Sequence, residues 1–299
     1  MSKLNKIIQE LENESIEIIR DTLSVASNPV FLYSIGKDSS VLLNLFLKSF
    51  YPMKPKIKLL HIDTTWKFKE MIKFREKIKN KYGLDLQVHT NNNPEALKIT
   101  PFNSSEYTKI MKTDALKQAL DMGKYDFVFG GSRRDEEASR SKEKVLSKRN
   151  KFHKWDPLNQ SIEPWYLFNS YKEVKESFRV FPLSNWTEIN IWEYIDSENI
   201  EVVSLYFAKK RKVVKREGQY FLLDDDRFEV KDSDLILDKE IRFRTLGCYP
   251  LTAGVESKTK NVKGIINELK LTKYSERSGR LIDFDTEGSM EIKKREGYF

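Results

Sequence analysis

The sequence predicts an α/β protein: an open, mostly parallel sheet with helices on both faces, then a smaller C-terminal elaboration of short antiparallel strands. Three observations carry this. Val30-Phe31-Leu32-Tyr33, behind Pro29, is a short apolar run of the kind a strand buried on both faces requires, and it leads through a small polar loop into the helix-like run Val41–Leu47. Strand-like and helix-like segments then alternate up to about residue 200. Beyond Glu201 the alternation stops, and Val202–Arg216, Tyr220–Leu223 and Phe228–Arg244 read as antiparallel strands around Gly218. The division is placed at 1–200 and 201–299.

Leu4, Ile8, Leu11 and Ile18 fall on one helical face, giving an opening helix over residues 3 to about 25. After the first strand and its helix, Pro52 and Pro55 break the chain ahead of a second strand, 57–62. A helix with Phe68, Met71, Ile72, Ile78 and Tyr82 on one face follows, stopped by Gly83. Residues 84–89 form a third strand, 108–122 a helix, and 125–129 a fourth strand that empties into Gly130-Gly131-Ser132-Arg133-Arg134-Asp135-Glu136-Glu137 and a further helix. No period is visible from Asn150 to Ser177, where Trp155, Trp165, Tyr166 and Tyr171 read as packing residues. Residues 179–183 make a short strand, and Thr187 caps a helix carrying Ile191, Trp192 and Ile195.

Composition narrows the function. Lys and Arg number 53 against 45 Asp and Glu, net +8, but acids are interleaved with bases almost everywhere. That favours small anionic ligands or an acidic partner over a dedicated nucleic-acid groove. The single Cys248 excludes an internal disulfide, and His61, His89 and His153 are too scattered for zinc. No apolar run is long enough to span a bilayer, and the N-terminus resembles no signal peptide, so a cytoplasmic location is expected.

Ser34-Ile35-Gly36-Lys37-Asp38-Ser39-Ser40 joins the first strand to its helix. Backbone N–H groups converging at a helix N-terminus, with serine hydroxyls beside them, suit phosphate, and Gly36 permits close approach or positive φ. The competing reading is a serine-rich N-cap. A Walker A loop is excluded, because Gly36-Lys37 is followed by Asp38 and no glycine lies five residues upstream. Arg133 and Arg134 stand before a predicted helix start, where cations oppose the helix dipole, so an anion bound between them would explain the pair; a solvated pair neutralised by Asp135 and Glu136 is the alternative. In a 3-2-1-4 strand order the loops after the first and fourth strands face one crevice. Arg242 and Arg244, at i and i+2, are a third candidate for anion contact or a merely exposed basic strand face. Asp63, ending the second strand, is placed to reach a ribose or a metal, and His61 to contact the crevice or pack in the core.

Leu32–Ser40 matches S-x-G-x-D-S, the pyrophosphate loop of enzymes that cleave ATP between its α and β phosphates. Together with His61-Ile62-Asp63-Thr64, Arg133–Glu137, Phe181–Glu188, Arg242–Pro250 and the terminal Lys294–Phe299, it makes the chain resemble, nearly end to end, the small ATP-handling subunit of bacterial sulfate adenylyltransferase, in the ATP-pyrophosphatase and phosphoadenylylsulfate reductase superfamily. Thr65 stands where that family usually has Gly, Ser132 where Ala is usual, and Ala253-Gly254 reverses the usual order; the first change falls in the turn beside Asp63.

The resemblance implies an adenine-nucleotide alpha-hydrolase-like sheet in 3-2-1-4-5 order and transfer of AMP from ATP to sulfate, giving adenylyl sulfate and pyrophosphate. It implies a larger GTPase partner subunit whose GTP hydrolysis drives the reaction, in a heterodimer or higher assembly. The pyrophosphate would be held by Ser34, Gly36, Lys37, Asp38, Ser39 and Ser40 with Mg²⁺ bridging phosphates, Asp38 positioning the ion or anchoring the loop. Arg133 and Arg134 would contact the α-phosphate or sulfate, oriented by Asp135, with Arg242 and Arg244 as further sulfate candidates. The nearest rival, a phosphoadenylylsulfate reductase, needs a redox-active cysteine near its C-terminus, and this tail has none. A nucleic-acid-binding protein would need one basic face, which the interleaved acids oppose.

Overall fold

The computed structural model describes residues 5–104, 106–163 and 169–271. The expectations for residues 1–4, Trp165, Tyr166 and the terminal Lys294–Phe299 lie outside these.

Asn5 caps the first helix, α1 (Lys6–Val25), by accepting the Ile7 N–H, and Ile8, Ile18 and Ile19 bury its apolar face. The βα alternation then runs through β1 (Pro29–Leu32), α2 (Lys37–Ser49), β2 (Lys58–Ile62), α3 (Lys69–Tyr82), β3 (Leu86–His89), α4 (Ala115–Gly123) and β4 (Phe127–Phe129). Gly83 ends α3 at φ +61°. A short α5 (Ala138–Ser141), β5 (Leu146–Arg149), β6 (Ser177–Val180) and α6 (Glu188–Glu198) complete this layer. Thr187 opens α6 with a reciprocal cap: its Oγ1 accepts the Asn190 N–H, and Asn190 Oδ1 accepts the Thr187 N–H.

The six strands lie in the order β3-β2-β1-β4-β6-β5, parallel except for β5. The parallel part is thus the expected order, with β6 as its fifth strand. Register aligns Phe31 with Leu59 and Phe129 on one face, and Val30 with Val128 on the other. Leu116, Ala119 and Leu120 of α4 cover Val30, Leu60 and Val128, while α1, α2, α3 and α6 cover the Phe31 face. Burial on both faces is why these strands read as unbroken apolar runs.

β5 is the element the sequence does not announce. Only Leu146 of its four residues is apolar. As an antiparallel edge strand it needs a single ladder, and side chains satisfy its outer N–H groups: Glu163 accepts from Leu146 at 2.9 Å and Gln160 from Lys148 at 2.9 Å. In the same excursion Trp155 is buried, but Tyr171 is exposed, its hydroxyl bonded to Glu173 rather than packed.

Past residue 200, β7 (Lys209–Arg216), β8 (Gln219–Leu222), β9 (Leu235–Arg242) and β10 (Val255–Glu256) form an antiparallel sheet, β10-β9-β7-β8, and α7 (Val262–Leu271) follows. Glu217 and Gly218, both at positive φ, turn the β7–β8 hairpin. The two sheets share one apolar cluster, in which Phe68 meets Phe243 and Tyr249 at ring distances of 4.9 and 5.3 Å.

Candidate active site

The carboxyl ends of β1, β2 and β4 open into a crevice of about 210 Å³. The loops after β1 and β4 meet at its wall. A β-carbon on Gly131 would sit 3.2 Å from the Asp38 carbonyl carbon and from the Ser39 nitrogen, so the glycine is what lets the two backbones touch. Ser34, Gly36, Lys37, Asp38 and Ser39 line the crevice from one loop, Gly131 and Ser132 from the other.

Hydroxyls brace the serine loop from within. Ser39 and Ser40 each donate to the Gly36 carbonyl at 3.0 Å, and Ser34 donates to Ser39 Oγ at 3.2 Å. Ser40 is such a brace and does not line the crevice. Of the two roles open to Gly36, close approach is the one seen, a β-carbon there lying 3.4 Å from the Tyr206 hydroxyl; the left-handed conformation belongs to its neighbour, since Gly36 has φ −73° while Ile35, fully buried and β-branched, has φ +70°. Burial of the Ile35 side chain holds this unfavourable backbone at the entry to α2. Tyr206, from the C-terminal region, accepts the Lys37 N–H at 2.8 Å and lines the same space.

The arginine loop is built differently from the sequence expectation. After Glu137 comes a helix of only four residues, so no long dipole opposes Arg133 and Arg134. Arg133 lies behind the crevice wall with its side chain wholly buried, donating to Asp38 at 2.8 Å from Nε and to Asp135 at 2.8 Å from Nη1. A guanidinium that deep requires carboxylates around it, and these hold it off the crevice. Arg134 donates to Asn185 at 2.7 Å, and Asn185 to Glu14 at 2.7 Å, on the outer side. Asp135 also accepts the Glu188 N–H at the start of α6. Arg242 pairs with Glu268 and Arg244 with Glu188, so they do not share one anion and neither lines the crevice. Asp63 is held by Arg75 at 3.3 Å and by the Thr65 N–H at 2.8 Å. Thr65 itself has φ +63°, a left-handed conformation that favours glycine.

Sequence reasoning missed four side chains in the crevice: Lys67, Lys112, Arg140 and Tyr206. Arg140 donates to Ser132 and pairs with Glu136 at 3.1 Å. Lys112 sits in a π-helical stretch, Lys109–Asp114, leading into α4. Such stretches are rare and frequent at functional sites, but nothing in the local sequence marks this one. His61 is buried, its Nδ1–H donating to the Tyr33 carbonyl at 2.8 Å, and burial, with Lys67 nearby, holds its pKa down at about 3. The ring is therefore neutral near pH 7 and is not a proton donor there. Cys248 is buried against Thr64 Oγ1 at 3.4 Å.

A resident Mg²⁺ does not fit these residues. Asp38 is held between Arg133 and Lys37, whose Nζ lies 3.3 Å from Oδ2, and no group of three metal-ligating side chains occurs among the described residues. Among those residues, too, no helix is long and apolar enough to cross a membrane.

A family model described as the phosphoadenosine phosphosulfate reductase domain matches residues 28–254. Proteins named sulfate adenylyltransferase subunit 2 from Trichlorobacter lovleyi and Geotalea daltonii are 56% and 55% identical to the chain. The first match covers 98% of both chains and the second 100% of both. Candida glabrata FMN adenylyltransferase, solved in complex with ATP, is similar with a TM-score of 0.52 at 17% identity, over 94% of this chain and 91% of that one, a likeness of fold alone. The chain belongs to the sulfate adenylyltransferase subunit 2 family, a family of nucleotidyltransferase enzymes built on the phosphoadenosine phosphosulfate reductase domain.

Proposed function

We propose that this chain transfers the AMP moiety of ATP to sulfate, releasing pyrophosphate, as the catalytic subunit beside a larger GTPase subunit whose GTP hydrolysis drives the unfavourable adenylation. The observation that carries the reading is the contact of Gly131 with Asp38 and Ser39, which closes two loops distant in sequence on one cation-lined crevice. The family name, as one of two or more subunits, supports a partner.

A sulfate oxygen, already anionic, attacks the α-phosphorus. The bond from that phosphorus to the bridging oxygen breaks, and its electron pair leaves with pyrophosphate; no proton need move. Catalysis then rests on alignment and on neutralising charge on the leaving group. Ser34, Ser39, Lys37 and the N–H groups at the start of α2 hold the β and γ phosphates. Asp38 fixes Lys37 and Arg133, and Arg133 acts through it as a positioning residue. Mg²⁺ enters with ATP as part of the substrate. Residues 1–200 carry the nucleotide site, and residues 201–299 add Tyr206 and the wall at 245–248 and serve partner docking.

The test is sulfate-dependent exchange of labelled pyrophosphate into ATP by the complex with its partner subunit. Lys37→Met is expected to slow exchange by a factor corresponding to about 2–4 kcal/mol of transition-state stabilisation. Sulfite release that depends on a thiol, with no exchange, would instead favour a reductase.

A further inference from the structure

The cations expected to meet sulfate, Arg134, Arg242 and Arg244, are each directed to a partner away from the crevice. Two lysines that the sequence reading did not single out line the crevice instead. Lys67 lies in the turn after β2, only 8% exposed, and Lys112 projects from the π-helical stretch before α4. Both stand on elements other than the serine and arginine loops. Thr245, Leu246, Gly247 and Cys248 line the same crevice, and their turn is tied to the β2 turn: the Tyr249 N–H donates to the Trp66 carbonyl at 2.9 Å, and Cys248 meets Thr64.

In-line displacement sets the geometry. The attacking and leaving oxygens lie on opposite sides of the α-phosphorus. With pyrophosphate on the serine loop, the incoming oxyanion must stand against elements other than that loop. The burial of Lys67 fits a role beyond surface charge, because a desolvated ammonium attracts an anion more strongly than an exposed one does.

We propose that Lys67 and Lys112 form the sulfate subsite, holding the tetrahedral oxyanion opposite the serine loop. This rests on the adenylyl-transfer reading given above.

The experiment follows exchange of labelled pyrophosphate into ATP as a function of sulfate and of ATP, in the assembled complex, for wild type, Lys67→Met, Lys112→Met and Lys67→Arg. The expected result is a KM for sulfate raised at least tenfold in each methionine variant, with the KM for ATP within twofold of wild type. Lys67→Arg keeps the charge and stays within about threefold of wild type for sulfate. A raised KM for ATP with sulfate unaffected would overturn the assignment by placing the lysines on the triphosphate, and unchanged constants for both substrates would overturn it too. Should Lys67→Met fail to fold, Lys112→Met, at a half-buried position, carries the same test. A wild-type complex with no sulfate-dependent exchange would defeat the adenylyl-transfer reading itself, an outcome distinct from normal exchange with unaffected variants.

Discussion

Arg133 and Asp38, 95 residues apart in the chain, are joined by a 2.8 Å hydrogen bond between Nε and Oδ1 that ties the loop after β4 to the loop after β1. Asp38 also faces the buried Lys37. Asp38→Asn removes the carboxylate both cations share, although Arg133 keeps Asp135. A loss of about 2–3 kcal/mol in urea unfolding is expected, together with a large fall in exchange activity. Unchanged stability would show that the pair contributes little to holding the loops together.

Gly131→Ala forces a methyl group against main-chain atoms that have no flexible end to yield. Overpacking of this kind costs about 1–3 kcal/mol. Its direct consequence is a wider gap between the loops, so the KM for ATP rises at least tenfold. A variant with wild-type kinetics would mean that the loops need not touch.

Tyr206→Phe removes the acceptor of the Lys37 N–H. A buried N–H left without a partner costs about 1–3 kcal/mol. If a phosphate oxygen takes over that N–H, the deficit measured by thermal unfolding shrinks at saturating ATP. A deficit of the same size with and without ATP would place the nucleotide elsewhere.

Thr65→Gly replaces a β-branched residue at φ +63°. The left-handed conformation costs a non-glycine residue about 1–2 kcal/mol, partly offset by the greater unfolded-state entropy of glycine. The melting temperature is expected to rise modestly; a fall would show that the Thr65 hydroxyl, bonded to the Thr64 carbonyl, outweighs the strain.

His61 contributes to acid sensitivity. Its folded-state pKa lies near 3 against an ordinary 6.5, so between those values the unfolded chain binds a proton that the native chain does not. The stability it contributes is complete above pH 6.5 and is lost as pH falls toward 3, with a slope of about 1.4 kcal/mol per pH unit for one proton. A His61→Gln variant should show a shallower fall in unfolding free energy over that window. Parallel curves for variant and wild type would mean the ring is protonated in the native state.

The parallel strands and the serine loop were legible because their signals are local: apolar runs of strand length, small polar residues at the junction, and the cap at Thr187. β5 was not, since three polar residues make a strand only when Gln160 and Glu163 cover its edge. Nor did the sequence show that Arg133 would be buried. Periodicity reports which faces are apolar, not which carboxylate a cation finds across the fold. Lys67 and Lys112 went unnoticed for the same reason: each is one lysine in a lysine-rich chain until the crevice collects them.

The central claim is that the serine loop and the loop after β4 close on one triphosphate whose α-phosphorus sulfate attacks. Exchange of labelled pyrophosphate into ATP by the complex, with and without sulfate, tests it most directly. Exchange is expected to require sulfate and to fall at least about thirtyfold in both Lys37→Met and Asp38→Asn. Exchange that proceeds equally without sulfate, or that survives both substitutions, would contradict it.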